Sequence, residues 1–327
     1  MTEKVLFLDG DGVGPPVLHS AERIIKAVTD SVEIIHGEIG RSAFDSTGQY
    51  LPHETMDLLD ECNIIMSGPA YTADNGKDPL ESLIVHLDLF ARVRYFKTLS
   101  PDLGVDGMDV VLWSSNNNVD TEISEVPDLD GVTLSKYVKN NAYNRMMTLA
   151  LSDVETRKLE KISCLIRDDF FPMSSDMFRE SFESIFSSDI YKTKVINVRE
   201  WAAHAIKFPG EEQCIVCVDL YNQVVAGILG GLTGYDHLGP LYFAGNDYIL
   251  YKPCNKPTYD ETIKEGYENP TSAIISASIM LRNFGLKNEC DDIMNALCDT
   301  YAAKKRTPDV NGDLTNEEFT NEIIDRL

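Results

Sequence analysis

The 327-residue sequence has no apolar run long enough to span a bilayer as a helix. It is short of positive charge: 29 Lys and Arg stand against 53 Asp and Glu, a formal net charge of −24. That balance argues against nucleic acid or an anionic membrane surface as a partner. It has no disulfide framework, because its seven cysteines are odd in number and irregularly spaced. Such usage fits a reducing compartment. Cys214 and Cys217 form a C-x-x-C inside an apolar run. With no second pair and no histidine pair beside it, this reads as core packing, not zinc. No signal or transit pattern opens the chain, since MTEKVLFLDGDG enters a strand at once, and a cytoplasmic location is expected. Internal repeats and low-complexity segments are also missing.

What is present is a hydrophobic content of 43%, enough for a substantial core. Short β-branched runs at Val5–Leu8, Val32–Ile39, Asn63–Gly68, Asp109–Trp113 and Ile162–Ile166 alternate with helical patterns. Those patterns include one to about Val28, one over Pro52–Cys62 and one over Leu80–Phe90. Alternation of this kind implies an α/β fold with a mostly parallel sheet and helices on both faces. The stretch Cys214–Gly234, CIVCVDLYNQVVAGILGGLTG, reads as a buried strand, a polar turn and an apolar helix stopped by glycines. A strand that delivers a polar turn onto a helix is a common place for a site.

Two motifs mislead. Gly10, Gly12 and Gly14 do not have the G-x-G-x-x-G spacing, and Pro15 and Pro16 suit a helix start, so GDGVGPP reads as a tight turn. DVNGDLTNEEF, from Asp309, mimics a calcium loop but lacks Gly at its sixth position and Glu at its twelfth. Thr315 with Glu318 instead reads as a capping box opening the last helix.

Several of these segments resemble the isocitrate/isopropylmalate dehydrogenase family. GDGVGPPV resembles its amino-terminal turn, with Pro16 in place of a Glu. LDLFARVRYFK, Leu87–Lys97, resembles its Leu-Asp-Leu-Tyr-Ala-Asn-x-Arg-Pro, and NPTSAIISASIMLRNFG, Asn269–Gly285, is the closest match in the chain. TPDVNG resembles its Thr-x-Asp-x-Gly-Gly. The resemblance spans nearly the whole sequence, strongest at both ends. It implies the family's fold, with a large nucleotide-side domain from residues 1–97 and 240–327 and a smaller dimerisation domain from 98–239.

The resemblance also assigns site positions. Arg94 and Arg145 stand where arginines hold substrate carboxylates, Arg92 replaces an Asn, and Ile84 and Trp113 fall where two more arginines belong. Arg167 falls on the catalytic lysine, and Arg199, Gln223 and Gly227 fall on the three metal-binding aspartates. An arginine holds its proton at any useful pH and cannot act as the acid/base, and a guanidinium repels Mg²⁺. On the nucleotide side Asp260 and Asn269 match residues that bind the adenosine half of NAD, and Lys256 replaces a glycine. The reading is a non-catalytic or regulatory member, without Mg²⁺, that holds a small anion on Arg92, Arg94, Arg145, Arg167 and Arg199. NAD or another adenine nucleotide is its second expected ligand. The alternative is an active NAD-dependent oxidative decarboxylase of a 2-hydroxy dicarboxylic acid such as isocitrate or 3-isopropylmalate. A homodimer is expected, with assembly on a dehydrogenase paralogue as the other arrangement.

Overall fold

Apolar runs of four to six residues pair into one large sheet. The computed structural model describes residues 2–71, 78–116, 119–139, 141–255, 259 and 263–327. Within them the strands are β1 (Glu3–Leu8), β2 (Val32–Gly37), β3 (Ile64–Ser67), β4 (Ala91–Lys97), β5 (Asp109–Ser115), β6 (Thr121–Pro127), β7 (Val132–Val138), β8 (Lys161–Ile166), β9 (Lys192–Asn197), β10 (Cys214–Cys217), β11 (Leu241–Ala244) and β12 (Ile249–Lys252). Ten of these form a sheet in the order β2-β1-β3-β12-β11-β4-β5-β10-β8-β9. Both flanks are parallel, and the centre, β12-β11-β4-β5, is antiparallel. Six of the ten strands, β1 to β4 with β11 and β12, come from residues 2–97 and 240–327, and the other four are β5, β8, β9 and β10.

Strands β3, β10 and β11 are buried at every residue. That is what a strand covered by helices on both faces requires. Period-two alternation sorts the side chains: Val5 and Phe7 enter one core, and Leu6 and Leu8 enter another on the opposite face. In the other half Val111 and Trp113 share the first core, and Val110 and Leu112 face Trp201 and Leu229.

The glycine-rich turn is indeed a tight turn, and its acid anchors it. The buried Asp11 carboxylate accepts the backbone N–H groups of Arg41 (2.8 Å), Ser42 (3.0 Å) and Tyr71 (2.8 Å). Two of those bonds satisfy the start of a helix, Arg41–Thr47, that carries no capping residue of its own and is not evident in the sequence. Gly10 sits at φ 71°, and a Cβ there would lie 2.3 Å from the Pro69 carbonyl oxygen. The capping box at Thr315 and Glu318 forms as read. Cys214 and Cys217 are fully buried, and burial pushes both thiols up.

Several elements differ from the reading, among them the helix read over Leu80–Phe90, which runs Pro79–His86. The run CIVCVDL ends as a strand at Cys217, and a helix starts at Asp219 and continues to Thr233, so the expected polar turn is already helical. An acid in the first turn suits the helix dipole. The helix read over Pro52–Cys62 is shorter, His53–Asp57 followed by a 3-10 turn at Leu58–Asp60. The hairpin β6–β7 has no buried face to impose alternation, and its pattern is therefore silent. No helix among the described residues is long and apolar enough to cross a membrane.

Candidate functional site

Arg92 and Arg94 alternate with Val93 and Tyr95 on β4, so both guanidiniums leave the sheet on the side opposite the main core. The helix Asp219–Thr233 packs over that side. There, with the Gln223 amide turned so that its oxygen faces the guanidinium, that oxygen accepts from both terminal nitrogens of Arg92, at 2.8 and 2.7 Å. Burial, and then the neighbouring Arg94, lower the pKa of Arg92. It remains a cation, as arginines in proteins do. Arg94 is 4% exposed. It donates to the Asp236 carboxylate (3.0 Å) and the Asp236 backbone oxygen (2.8 Å), and its guanidinium stacks on Phe96 at 4.9 Å.

The other cations around this cleft have acids of their own. Arg145, on the helix Ala142–Arg157, forks onto both oxygens of buried Asp120 (3.1 and 2.9 Å), reaches Asp88, and lies 3.8 Å from the centre of the Phe90 ring. Lys139 joins the same carboxylate at 3.2 Å. Lys136, from the hairpin, pairs with buried Asp219, which also accepts from Thr121 at 3.2 Å. Asp219 lies in the first turn of the helix Asp219–Thr233, one turn before Gln223.

The assignment of a substrate-arginine position to Trp113 is corrected by the pleat. Trp113 points into the main core and meets Tyr242 edge-on at 6.2 Å. The cleft side of β5 belongs to Ser114, paired across the sheet with Arg92 and holding Asn222 at 2.9 Å. A one-residue slip in an alignment reverses the face of a strand residue. Ile84 is buried in the core below the helix Pro79–His86.

Arg167 and Arg199 are not brought to Arg92 within the chain. Arg167 bonds Asp169 at 2.8 Å and lines an apolar pocket of about 820 Å³ with Phe170, Phe171, Leu134, Tyr143 and Tyr221. Arg199 is exposed at the start of the helix Val198–Lys207, beside a polar pocket of about 480 Å³ with Asp168, Asp169 and Arg179. Asn197 ties both of those aspartates, at 3.1 and 2.8 Å. No lysine occurs between Ile162 and Glu180 to replace the one aligned with Arg167.

The three positions aligned with the metal carboxylates hold no carboxylate themselves. Gly227 has no donor, the Gln223 oxygen is taken by Arg92, and Arg199 is itself a cation. Among the described residues no group of three His, Cys, Asp or Glu side chains converges to hold a metal. On the nucleotide side, Lys256 and Asp260 lie outside the described residues. Asn269 is buried: its oxygen accepts the Thr271 N–H (3.0 Å) at the head of the helix Thr271–Asn283, and its amide donates to Asp309 (3.0 Å). Asp309 also takes His237 (2.7 Å) and Thr307 (2.5 Å).

The profile of the isocitrate/isopropylmalate dehydrogenase family matches residues 4–327. The chain belongs to this family. Among its relatives, the isocitrate/homoisocitrate dehydrogenase of Thermus thermophilus is 26% identical, covering 100% of this chain and 99% of that protein. The 3-isopropylmalate dehydrogenase of Methanothermobacter thermautotrophicus is also 26% identical, over 99% and 98%. The fold matches a β-decarboxylating dehydrogenase of Thermococcus kodakarensis in its apo form, with a TM-score of 0.88 at 18% identity over 99% and 96%. The isocitrate dehydrogenase of Methylococcus capsulatus matches with a TM-score of 0.85 at 20% identity, over 99% of each chain. This isocitrate/isopropylmalate dehydrogenase family member thus has its relatives' architecture throughout. Sequence reasoning missed the acids that occupy its cleft, Asp120, Asp219 and Asp236. They lie 25, 83 and 142 positions from the cations they hold, and no local pattern links such pairs.

Proposed function

We propose that this chain is a non-catalytic member of the isocitrate/isopropylmalate dehydrogenase family, a ligand-sensing or regulatory protein that binds a small anion at Arg92 without a metal. The observation that carries this reading is the contact of Arg92 with Gln223, the residue that the resemblance aligns with a metal carboxylate. A half-buried cation with a neutral partner retains an electrostatic demand that an anionic ligand can meet. An adenine nucleotide, NAD or ADP, is the second ligand of this reading. Its own test is calorimetry with NAD, NADP, AMP, ADP and ATP at millimolar concentration, where absence of heat removes it.

The chain acts in this reading as a homodimer. Exposed apolar side chains support it: Leu220 and Val224 on the helix Asp219–Thr233, Phe170 and Phe171 before the helix Pro172–Ile185 with Met173 in its first turn, and Ile123 and Leu134 on the hairpin, most of them around one pocket. Contiguous exposed apolar surface of this kind marks an interface. Light scattering of the purified chain tests it, and a stable monomer at micromolar concentration contradicts it. Copurification with a dehydrogenase paralogue would point to the mixed assembly.

The deciding experiment for function is NADH formation from isocitrate and 3-isopropylmalate with Mg²⁺ or Mn²⁺. The expected result is no turnover above background, together with anion binding that needs no metal. Steady metal-dependent NADH formation overturns the reading in favour of an active oxidative decarboxylase.

A further inference from the structure

We infer that residues 304–312 form a strap that holds both connections between two parts of this fold, and that through the second connection it keeps Asp236 seated on Arg94. The cleft is thus controlled from outside itself, and the inference does not depend on which ligand the cleft takes.

The stretch from β5 to the end of the helix Asp219–Thr233, residues 109–233, joins the rest of the chain through the connections 98–108 and 234–240. The two meet at one corner. The Val105 N–H donates to the Leu232 carbonyl at 2.7 Å, and Gly104 lies so close to the Thr233 backbone that no Cβ fits. Hinges are a few residues of this kind at the ends of elements.

The strap crosses both connections. It lies between the helices Lys287–Ala302 and Asn316–Ile324, and its base is fixed. Thr307 and Val310 are fully buried, and buried Arg306 donates from Nε and one terminal nitrogen to the Tyr301 carbonyl, at 3.1 and 2.7 Å. From that base the Arg306 guanidinium forks onto Asp102 of the first connection, at 2.9 and 2.7 Å. The second connection is held at two points: Asp309 meets His237 at 2.7 Å, and the Asn311 amide donates to the Tyr235 hydroxyl at 2.9 Å.

These ties are unlike a packed core. Asp102 and Asn311 are exposed, and Tyr235 and His237 are half-buried. A cavity of about 360 Å³ remains among them, lined also by Leu103, Gly234 and Lys304. Ties of this kind exchange with water and part without uncovering apolar surface. Between Tyr235 and His237 stands Asp236, whose carboxylate and carbonyl both hold Arg94. Freeing the second connection therefore loosens an acid from the cleft.

Hydrogen exchange on the full chain, read by mass spectrometry, tests this in a variant with Asp102→Asn, Tyr235→Phe and His237→Ala together. The strap itself stays intact. Exchange in 98–108 and 234–240 is expected to rise at least about tenfold while the helix Thr271–Asn283 keeps its wild-type rate. Arg94 should gain reactivity toward phenylglyoxal. Asp11→Ala, which touches no tie, is the control for a general loss of stability. Should the triple variant fail to fold, Asp102→Asn alone, at an exposed residue, is expected to raise exchange in 98–108 about threefold and leave 234–240 unchanged. Exchange in both connections that stays at the wild-type rate, or rises no more than in Asp11→Ala, overturns the strap. Faster exchange with Arg94 still at wild-type reactivity overturns its control of the cleft.

Discussion

Two regions of this chain carry residues that match the family, and they have fared differently. In the turn Gly10–Pro16 and at the start of the helix Thr271–Asn283 the matching polar residues persist. Asp11 holds three backbone N–H groups from three places in the chain, and Asn269 holds a helix start and Asp309. On the helix Asp219–Thr233 the positions that the resemblance aligns with metal carboxylates hold Gln223 and Gly227, both exposed, and a Cβ at Gly227 would meet nothing within 4 Å. The difference lies in what each side chain does for the backbone. A residue that closes a turn or caps a helix is needed for folding whether or not a ligand binds. A carboxylate that faces only solvent and a cation can go without cost to the fold.

The comparison is broken most directly at Asp11. Asp11→Ala leaves three N–H groups without their acceptor, two of them at a helix start, and an expected loss of about 3 kcal/mol reads out in urea denaturation. A loss below about 1 kcal/mol would mean that the turn survives without its acid and that structural need does not explain its presence. Asn269→Ala comes next, at about 2 kcal/mol, from the lost helix start and the Asp309 contact.

Acid sharpens the same contrast. Burial pushes the Asp309 carboxyl up, and hydrogen bonds from His237, Thr307 and Asn269 outweigh it, leaving the carboxyl below its ordinary value. A carboxylate depressed in the folded state contributes stability above its unfolded pKa, and that contribution is lost as pH falls through the folded one. Stability from this group should therefore be constant near neutrality and fall below about pH 4. Asp309→Asn should flatten that part of the acid limb in melting curves taken across pH, and an unchanged slope would reassign it to other carboxylates.

The smallest effect is expected in the cleft. Gly227→Asp enters open space on an exposed helix face, where Asp is a slightly better helix former than Gly, and stability should change by less than about 0.5 kcal/mol. A larger loss would show that the glycine itself packs, for instance against a second copy. Differential scanning fluorimetry at several protein concentrations separates the two.

The strands were legible because their runs are short, apolar and buried on both faces, as at VLFL in β1 and IIMS in β3. Pro15 and Pro16 marked the first helix, and Thr315 with Glu318 the last. The hairpin β6–β7 was silent because neither of its faces is buried. The cleft was legible only as a set of positions. Which way each side chain points depends on the pleat, which moved one assignment from Trp113 to Ser114. Which acid holds each arginine depends on pairings such as Arg94 with Asp236, set by the tertiary fold alone.

The pairing of β3 with β12 joins Ile64–Met66 to Ile249–Tyr251. On the ribosome this imposes an order of events. At roughly 5–20 residues per second, β3 emerges about ten to forty seconds before its partner strand exists. Until then its ribbon, buried at every residue in the finished fold, has a neighbour on one side only, β1, and the other edge is an open template for a foreign strand. The segment 98–239 is continuous in sequence and can collapse while the half that began first still waits for its last strands. The amino-terminal third of a nascent chain is thus its most adhesive part, and a ribosome stalled before residue 249 leaves that edge uncovered.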